Sequence, residues 1–281
     1  MILTFGQSGQ LARELAPLTG GACLSRAEVD FETPGAIADA IAHHRPEAVI
    51  NAVAFTDVDG AEDAQDRAFR VNEAAVGELA QSCAEAAIPL VHLSTDYVFD
   101  GSGSRPWQPD DPTGPLNVYG HSKSAGETLL RAAQGPHVIL RCSWVVSPHG
   151  RNFVKTMLQL GSDRDTLRIV ADQIGAPTAA HDIAGAALSI ARQLKTAPEK
   201  SGTYHYQAQP HASWAEVARE IFEQAGITCA VTEIPSHAYP TPARRPLNSR
   251  LDCSATEESF GLEMPDWRVS LKQILVQLGH A

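Results

Sequence analysis

The chain has 281 residues, of which 43% are hydrophobic and 20% charged, and its 22 Lys+Arg against 33 Asp+Glu give a formal net charge of −11. This is the composition of a globular protein with a core, so disordered and collagen-like classes are excluded, and the acidic surplus argues against a general nucleic-acid or anionic-membrane binder. The longest apolar stretch, Ala48 to Phe55, is interrupted by Asn51 and falls far short of the roughly 20 residues that span a bilayer.

Met1 to Gly6 carries no positive flank and no cleavable apolar region, so a cytoplasmic location is expected. Ile2 to Phe5 reads as a strand, followed by a helix from Gly9 to Leu18 and a second strand at Ala22 to Leu24. Pro34 to His44 fits a helix with Pro in its first turn, Ala48 to Val53 a third strand, and Asp59 to Ala87 one long amphipathic helix. Pro89 to Ser94 and His137 to Cys142 are two more strands, separated by a loop and a helix starting near Asn117. Near-continuous apolar strands alternating with helices predict an α/β fold, a Rossmann-type doubly wound parallel sheet covered on both faces.

After Trp144, Pro and Gly punctuate short elements, which predicts a smaller, loop-rich substrate lobe. The expected organisation is a dinucleotide-binding domain over 1–145 and a substrate-binding lobe mainly over 146–281, with a helix near 180–195 returning to the sheet. Five cysteines, with no C-x-x-C pair, read as reduced packing residues.

Gly6-Gln7-Ser8-Gly9-Gln10-Leu11-Ala12 follows the first strand and opens a helix, where glycines let backbone N–H groups and the helix N-terminus approach a pyrophosphate. Ala12 replaces the third glycine and is small enough for close helix packing. At the end of the second strand, Ser25 and Arg26 stand where an acidic residue would favour NAD; a hydroxyl and a guanidinium there suit a 2′-phosphate, the alternative being an ordinary exposed Arg. Asp30 and Phe31 either contact the adenine edge and ring or begin the next helix. NADP(H) is therefore the expected cofactor, with NAD(H) as a second.

The sharpest pattern is Ser94-Thr95-Asp96-Tyr97 closing a strand, with Tyr119 and Lys123 four apart on one face of the downstream helix. An ammonium beside a phenol is expected to lower the tyrosine pKa from about 10 and make Tyr119 a proton donor or acceptor. Thr95 at a strand C-terminus can hydrogen-bond the same reacting oxygen.

These residues, with Asn51-Ala52, Thr56-x-Val58-Asp59, Pro115 to Gly120, Arg141-x-Ser143-Trp144-Val145, Asn152 to Met157, Asp172-Gln173-x-Gly175-Ala176-Pro177-Thr178 and Pro242 to Ser249, resemble the dTDP-4-dehydrorhamnose reductases among the extended short-chain dehydrogenases, from residue 1 to about 268. The resemblance implies NADPH-dependent reduction of dTDP-4-dehydro-L-rhamnose, a dTDP-linked 4-keto-6-deoxyhexose, to dTDP-L-rhamnose. It also implies that Tyr119 is the acid, that Lys123 holds the nicotinamide ribose and tunes Tyr119, and that Thr95 orients the carbonyl oxygen. Ala52, Val53, Ala54 and Thr56 would line the cofactor, Val58 would lie near the substrate, and Asp96 and Trp144 would face the sugar. Arg244 and Arg245, held between prolines, either clamp the diphosphate or bind a helix end or carboxylate.

Two other readings compete: an epimerase or dehydratase on the same fold, and a catalytically idle subunit resembling the regulatory subunit of methionine adenosyltransferase. Absence of an Asp-Glu pair after Thr95 argues against a dehydratase, and intact Thr95, Tyr119 and Lys123 argue against the idle subunit. Some reductases of this family dimerise around Mg²⁺ held by carboxylates. Here Glu14 matches one ligand, but His181, Gln273 and Gln277 stand elsewhere and only Asp182 is close, so no metal is expected, and the chain is expected to be a monomer or a metal-independent homodimer.

Overall fold

A computed structural model describes residues 1–280; Ala281, the last residue of the expected substrate lobe, lies outside them. The first half runs β1 (Ile2–Phe5), α1 (Gln10–Leu18), β2 (Cys23–Leu24), α2 (Ala36–His44), β3 (Ala48–Asn51), α3 (Gly60–Asp63), α4 (Gln65–Phe69), α5 (Ala75–Glu85), β4 (Leu90–Thr95), α6 (Val118–Ala132) and β5 (His137–Cys142). The second runs β6 (Val145–Val146), α7 (Phe153–Asp163), β7 (Thr166–Val170), β8 (Ile174–Gly175), β9 (Thr178–Ala179), α8 (Ala180–Leu194), β10 (Gly202–His205), β11 (Ala212–Ser213), α9 (Trp214–Gln224), β12 (Ala230–Ile234), α10 (Ser254–Phe260) and α11 (Trp267–Gln277).

The main sheet has the order β10-β5-β4-β3-β1-β2, all pairs parallel. Its central strands are apolar on both sides, which is the condition for burial under two layers of helices. On one face Ile37 and Ile41 of α2, Val76 and Leu79 of α5, and Leu130 of α6 share a core with Leu3, Phe5 and Val49. On the other, Leu15 of α1 and Ile183, Ala187 and Ile190 of α8 cover Ile50, Val91 and Leu140.

Two features depart from the sequence pattern. The sheet takes its sixth strand, β10, from the second half of the chain, so residues beyond 145 complete the dinucleotide-binding architecture. The expected single helix over Asp59–Ala87 is instead α3, α4, a π turn at Arg70–Ala74 and α5. The wider π turn lets buried Asn72 reach back to the loop after β3: its Oδ1 accepts from the Phe55 N–H at 2.8 Å and its Nδ2 donates to the Phe55 carbonyl at 3.0 Å.

The second lobe has its own core, built on Met157 and Leu158 of α7, Ile221 and Phe222 of α9, and Trp267 and Ile274 of α11. Beside it β7 and β12 form a parallel pair. All five cysteines are free.

Candidate active site

The sheet order reverses between β1 and β3, and a cleft of about 250 Å³ opens there at the strand C-terminal ends. Gly6 turns the chain with φ 109°, a conformation that disfavours side chains, and delivers it to α1. No side chain caps that helix, so the first-turn N–H groups and the positive end of the helix dipole remain available to an anion. Gly6, Gln7, Ser8, Gly9, Arg26, Asp30, Phe31, Ala52, Val53 and Ala54 all line the cleft.

Four other sequence candidates point elsewhere. Gln10 turns its amide to the second lobe, where Oε1 accepts from Ser147 Oγ and Asn152 Nδ2, each at 2.9 Å. Leu11 packs into the core under α8. Ser25 donates from its backbone N–H and its hydroxyl to Glu28, at 2.8 and 2.7 Å, and Thr56 is exposed outside the lining. The cleft adds Val29, Glu32, Phe55, Arg67 and Val71, which sequence reasoning missed. Arg67 pairs with Glu32 at 2.9 Å, and Arg26 spans Asp30 and Glu32. The helix expected over Arg67 gave no reason to favour one of its faces.

Deeper, at the end of β4, the Thr95 hydroxyl donates to Asp96 Oδ1 at 3.2 Å and accepts from the Tyr97 N–H at 3.1 Å, beside the Tyr119 phenol. Asn117 caps α6 by accepting from the Gly120 N–H at 2.8 Å. A Cβ on Gly120 would stand 2.2 Å from the Tyr97 carbonyl, so this glycine lets the start of α6 close on the turn after Thr95. Burial pushes the phenol pKa of Tyr119 up, with Thr95 opposing it. The expected lowering by Lys123 is therefore corrected: Lys123 Nζ donates to the Leu93 carbonyl at 2.7 Å and stands 3.1 Å from His92 Nε2, a histidine the sequence reading did not single out. Sharing a helix face did not turn the ammonium to the phenol, because buried acceptors lie on the sheet side. Asp96 is buried with Oδ2 unpartnered, and its carboxyl is raised to about 7, chiefly by burial.

Beneath these groups Glu127 and Arg141 form a buried bidentate pair at 2.9 and 2.7 Å, and Ser94 Oγ donates to the same carboxylate at 2.6 Å. Its guanidinium partner and hydrogen bonds hold Glu127 below its ordinary range against burial.

A larger cavity of about 670 Å³ lies in the second lobe with Asp59 at its edge, lined also by Phe153, Arg164, Arg168, Trp214, Tyr239 and Arg245 among others. Trp144 stacks on Trp214 with ring centroids 3.6 Å apart and takes φ 47°, a strained backbone for so large a residue. Arg245 reaches the lining but already pairs with both oxygens of Asp59, at 2.6 and 2.7 Å. Arg244 is exposed outside the lining and contributes only its carbonyl, which accepts from Asn117 at 2.7 Å. Val58 is half-buried beside Asp59 and lines no described cavity. Arg164, Arg168, Trp214 and Tyr239 were not marked by the sequence reading, and Phe153 only within the run Asn152 to Met157; they arrive from elements whose relative placement only the folded lobe defines.

Among the described residues no helix is long and apolar enough to cross a membrane, and no three His, Cys, Asp or Glu converge as a metal site.

A family model described as the RmlD substrate binding domain matches residues 1–279. A dTDP-4-dehydrorhamnose reductase of Shigella flexneri is 40% identical over 99% of this chain and 97% of its own. Among solved structures, a dTDP-4-dehydrorhamnose reductase of Clostridium acetobutylicum superposes with TM-score 0.91 at 33% identity, covering 99% of both chains. One from Bacillus anthracis in complex with NADP also gives 0.91, at 29% identity and 98% coverage of each.

Proposed function

The chain belongs to the dTDP-4-dehydrorhamnose reductase family, and on that premise we propose that Thr95, Tyr119 and Lys123 carry the NADPH-dependent reduction of dTDP-4-dehydro-L-rhamnose to dTDP-L-rhamnose. The observation that carries the assignment is the buried Thr95 hydroxyl beside the Tyr119 phenol at the C-terminal end of β4, with Lys123 one helical turn on.

The uncapped start of α1 and the positive φ of Gly6 fit a dinucleotide pyrophosphate. Arg26 and Arg67, at the far end of the cleft, fit a 2′-phosphate by charge-assisted hydrogen bonds, with NADH as the weaker partner. NADPH supplies the hydride that adds to sugar C4. Thr95 orients the carbonyl oxygen, and as the new C–H bond breaks the C=O π bond, Tyr119 gives its proton to the nascent alkoxide, forming the O–H bond and leaving a phenolate. Burial keeps the phenol protonated until then. After its bond to Leu93, Lys123 still has an N–H for the nicotinamide ribose. Trp144, Trp214 and Phe153 offer stacking surface for the nucleoside, and Asp96 a buried oxygen for a sugar hydroxyl. Arg168 and Arg245 are better placed than Arg244 to meet the diphosphate.

The protein acts in the cytoplasm as a monomer or as a homodimer without a shared metal. Glu14 Oε1 lies 3.4 Å from His149 but is buried without a hydrogen bond among the described residues, and Asp182 accepts from Ser270 at 2.6 Å, so of the nearest carboxylates only Asp182 is engaged by a hydrogen bond. Loss of NADPH absorbance with dTDP-4-dehydro-L-rhamnose, and with no comparable loss for other dTDP-4-keto sugars, tests the substrate; sedimentation with and without EDTA tests the assembly.

A further inference from the structure

Asn117 is buried and uses both halves of its carboxamide. Its Oδ1 accepts from the Gly120 N–H at 2.8 Å, which caps α6, and its Nδ2 donates to the Arg244 carbonyl at 2.7 Å. The flipped amide would set N–H against N–H and oxygen against oxygen, so this orientation is fixed. The carbonyl it holds belongs to the peptide that joins Arg244 to Arg245, and a planar peptide passes its orientation on to the Arg245 Cα.

A second tie runs through the start of α3. Glu62 Oε1 accepts from the Val118 N–H, the first amide of α6, at 3.0 Å, while Asp59 Oδ1 accepts from the Ala243 N–H at 3.1 Å. Arg245 meets Asp59 end-on, Nη1 to Oδ1 at 2.6 Å and Nη2 to Oδ2 at 2.7 Å, and also donates from Nη1 to the Ala243 carbonyl at 2.7 Å. Three of the five guanidinium N–H groups are thereby used. The remaining pair, Nε–H and the second Nη2–H, lie parallel along one edge and make a fork suited to an oxyanion, on a residue that lines the large cavity.

We infer that Asn117 is a positioning residue for the sugar nucleotide: it holds the peptide that aims Arg245 at the diphosphate in register with Tyr119 on the helix it caps. The inference rests on the proposed function, in which Arg245 meets the diphosphate and Tyr119 protonates the sugar oxygen. The covalent structure of the substrate limits the span from its diphosphate to C4. A fork that drifts relative to α6 therefore cannot hold the diphosphate while the carbonyl stands at Tyr119. Asp59 and Glu62 link the same two segments through α3, whereas Asn117 joins them directly.

The test uses dTDP, the part of the substrate that carries the diphosphate, titrated calorimetrically against the NADPH-bound enzyme. In Asn117→Ser a hydroxyl still caps α6 but ends a bond short of the Arg244 carbonyl. dTDP is expected to bind roughly three- to tenfold more weakly, the worth of one hydrogen bond, and the KM for the sugar nucleotide to rise in step. NADPH affinity and melting temperature should stay near native, which separates this role from the cap. Asn117→Thr repeats the measurement should Asn117→Ser not fold. In an Arg245→Ala background, itself weakened for dTDP, the Asn117→Ser change should have no further effect, because the side chain it aims is gone. Native dTDP affinity in folded Asn117→Ser, or an equal loss with and without Arg245, overturns the inference and leaves the proposed function standing. Native dTDP affinity in Arg245→Ala would instead remove Arg245 from the diphosphate site, and this inference with it.

Discussion

The rim of the cofactor cleft and the buried floor beneath Thr95 and Tyr119 hold charge in opposite ways. At the rim, Arg26 is 61% exposed and its partner Glu32 31%, and both belong to a small network with Asp30 and Arg67. On the floor, Glu127 and Arg141 are 0% and 1% exposed and share two hydrogen bonds. Exposed pairs are worth about 0–1 kcal/mol and exchange partners cheaply. A buried pair need not add net stability, but removing one member strands the other in a low dielectric. The rim can release its guanidiniums to a ligand, whereas the floor keeps one arrangement and so fixes where Tyr119 and Thr95 stand.

The strongest way to separate rim from floor is Tyr119→Phe, which should lower kcat by roughly two to four orders of magnitude while leaving NADPH affinity, read by fluorescence titration, nearly native. Turnover within a few-fold of native would remove the floor from the chemistry. Glu127→Gln should cost about 3–5 kcal/mol of unfolding free energy in urea, because Arg141 would remain buried without its carboxylate; a loss no larger than that of an exposed pair would erase the contrast. Asp96 sharpens it through pH. Its folded-state pKa of about 7 lies above the ordinary 3.8, so the native state binds the extra proton and stability falls as pH rises through that window. Asp96→Asn should therefore be more stable than native by on the order of 2 kcal/mol at pH 8, with the advantage gone near pH 4; an equal difference at both pH values would contradict the buried, raised carboxyl. The smallest effect belongs to the rim: Arg26→Ala should raise the KM for NADPH roughly three- to tenfold, leave that for NADH unchanged and barely move the melting temperature. Equal losses for both cofactors would make Arg26 structural.

The same division explains what could be read from sequence. The strands β1, β3, β4 and β5, the glycine turn and the Tyr119/Lys123 spacing are local signals, and each follows from apolar runs or short intervals. Arg67, His92 and Trp214 are not local. Their roles depend on which face of a helix or strand meets which neighbour, and a π turn at Arg70–Ala74 shifts the helix face beyond what a 3.6-residue period can follow. Lys123 marks the limit most clearly: its spacing from Tyr119 was legible, but its partners His92 and Leu93 come from a strand that pairing alone brings beneath it.

The parallel edge at β10 bears on how the chain is made. β5 gains its outer neighbour, and the second helical layer begun by α1 is completed, only with α8 and β10, after β6, α7 and the short strands between have been synthesised. Until then a nascent chain on the ribosome would carry an open strand edge at His137–Cys142 and an uncovered apolar face around Ile50, Val91 and Leu140, the features that recruit other strands and chaperones. A fragment ending near residue 145 should therefore aggregate rather than fold, and the cofactor half becomes a stable body only once most of the polypeptide has emerged.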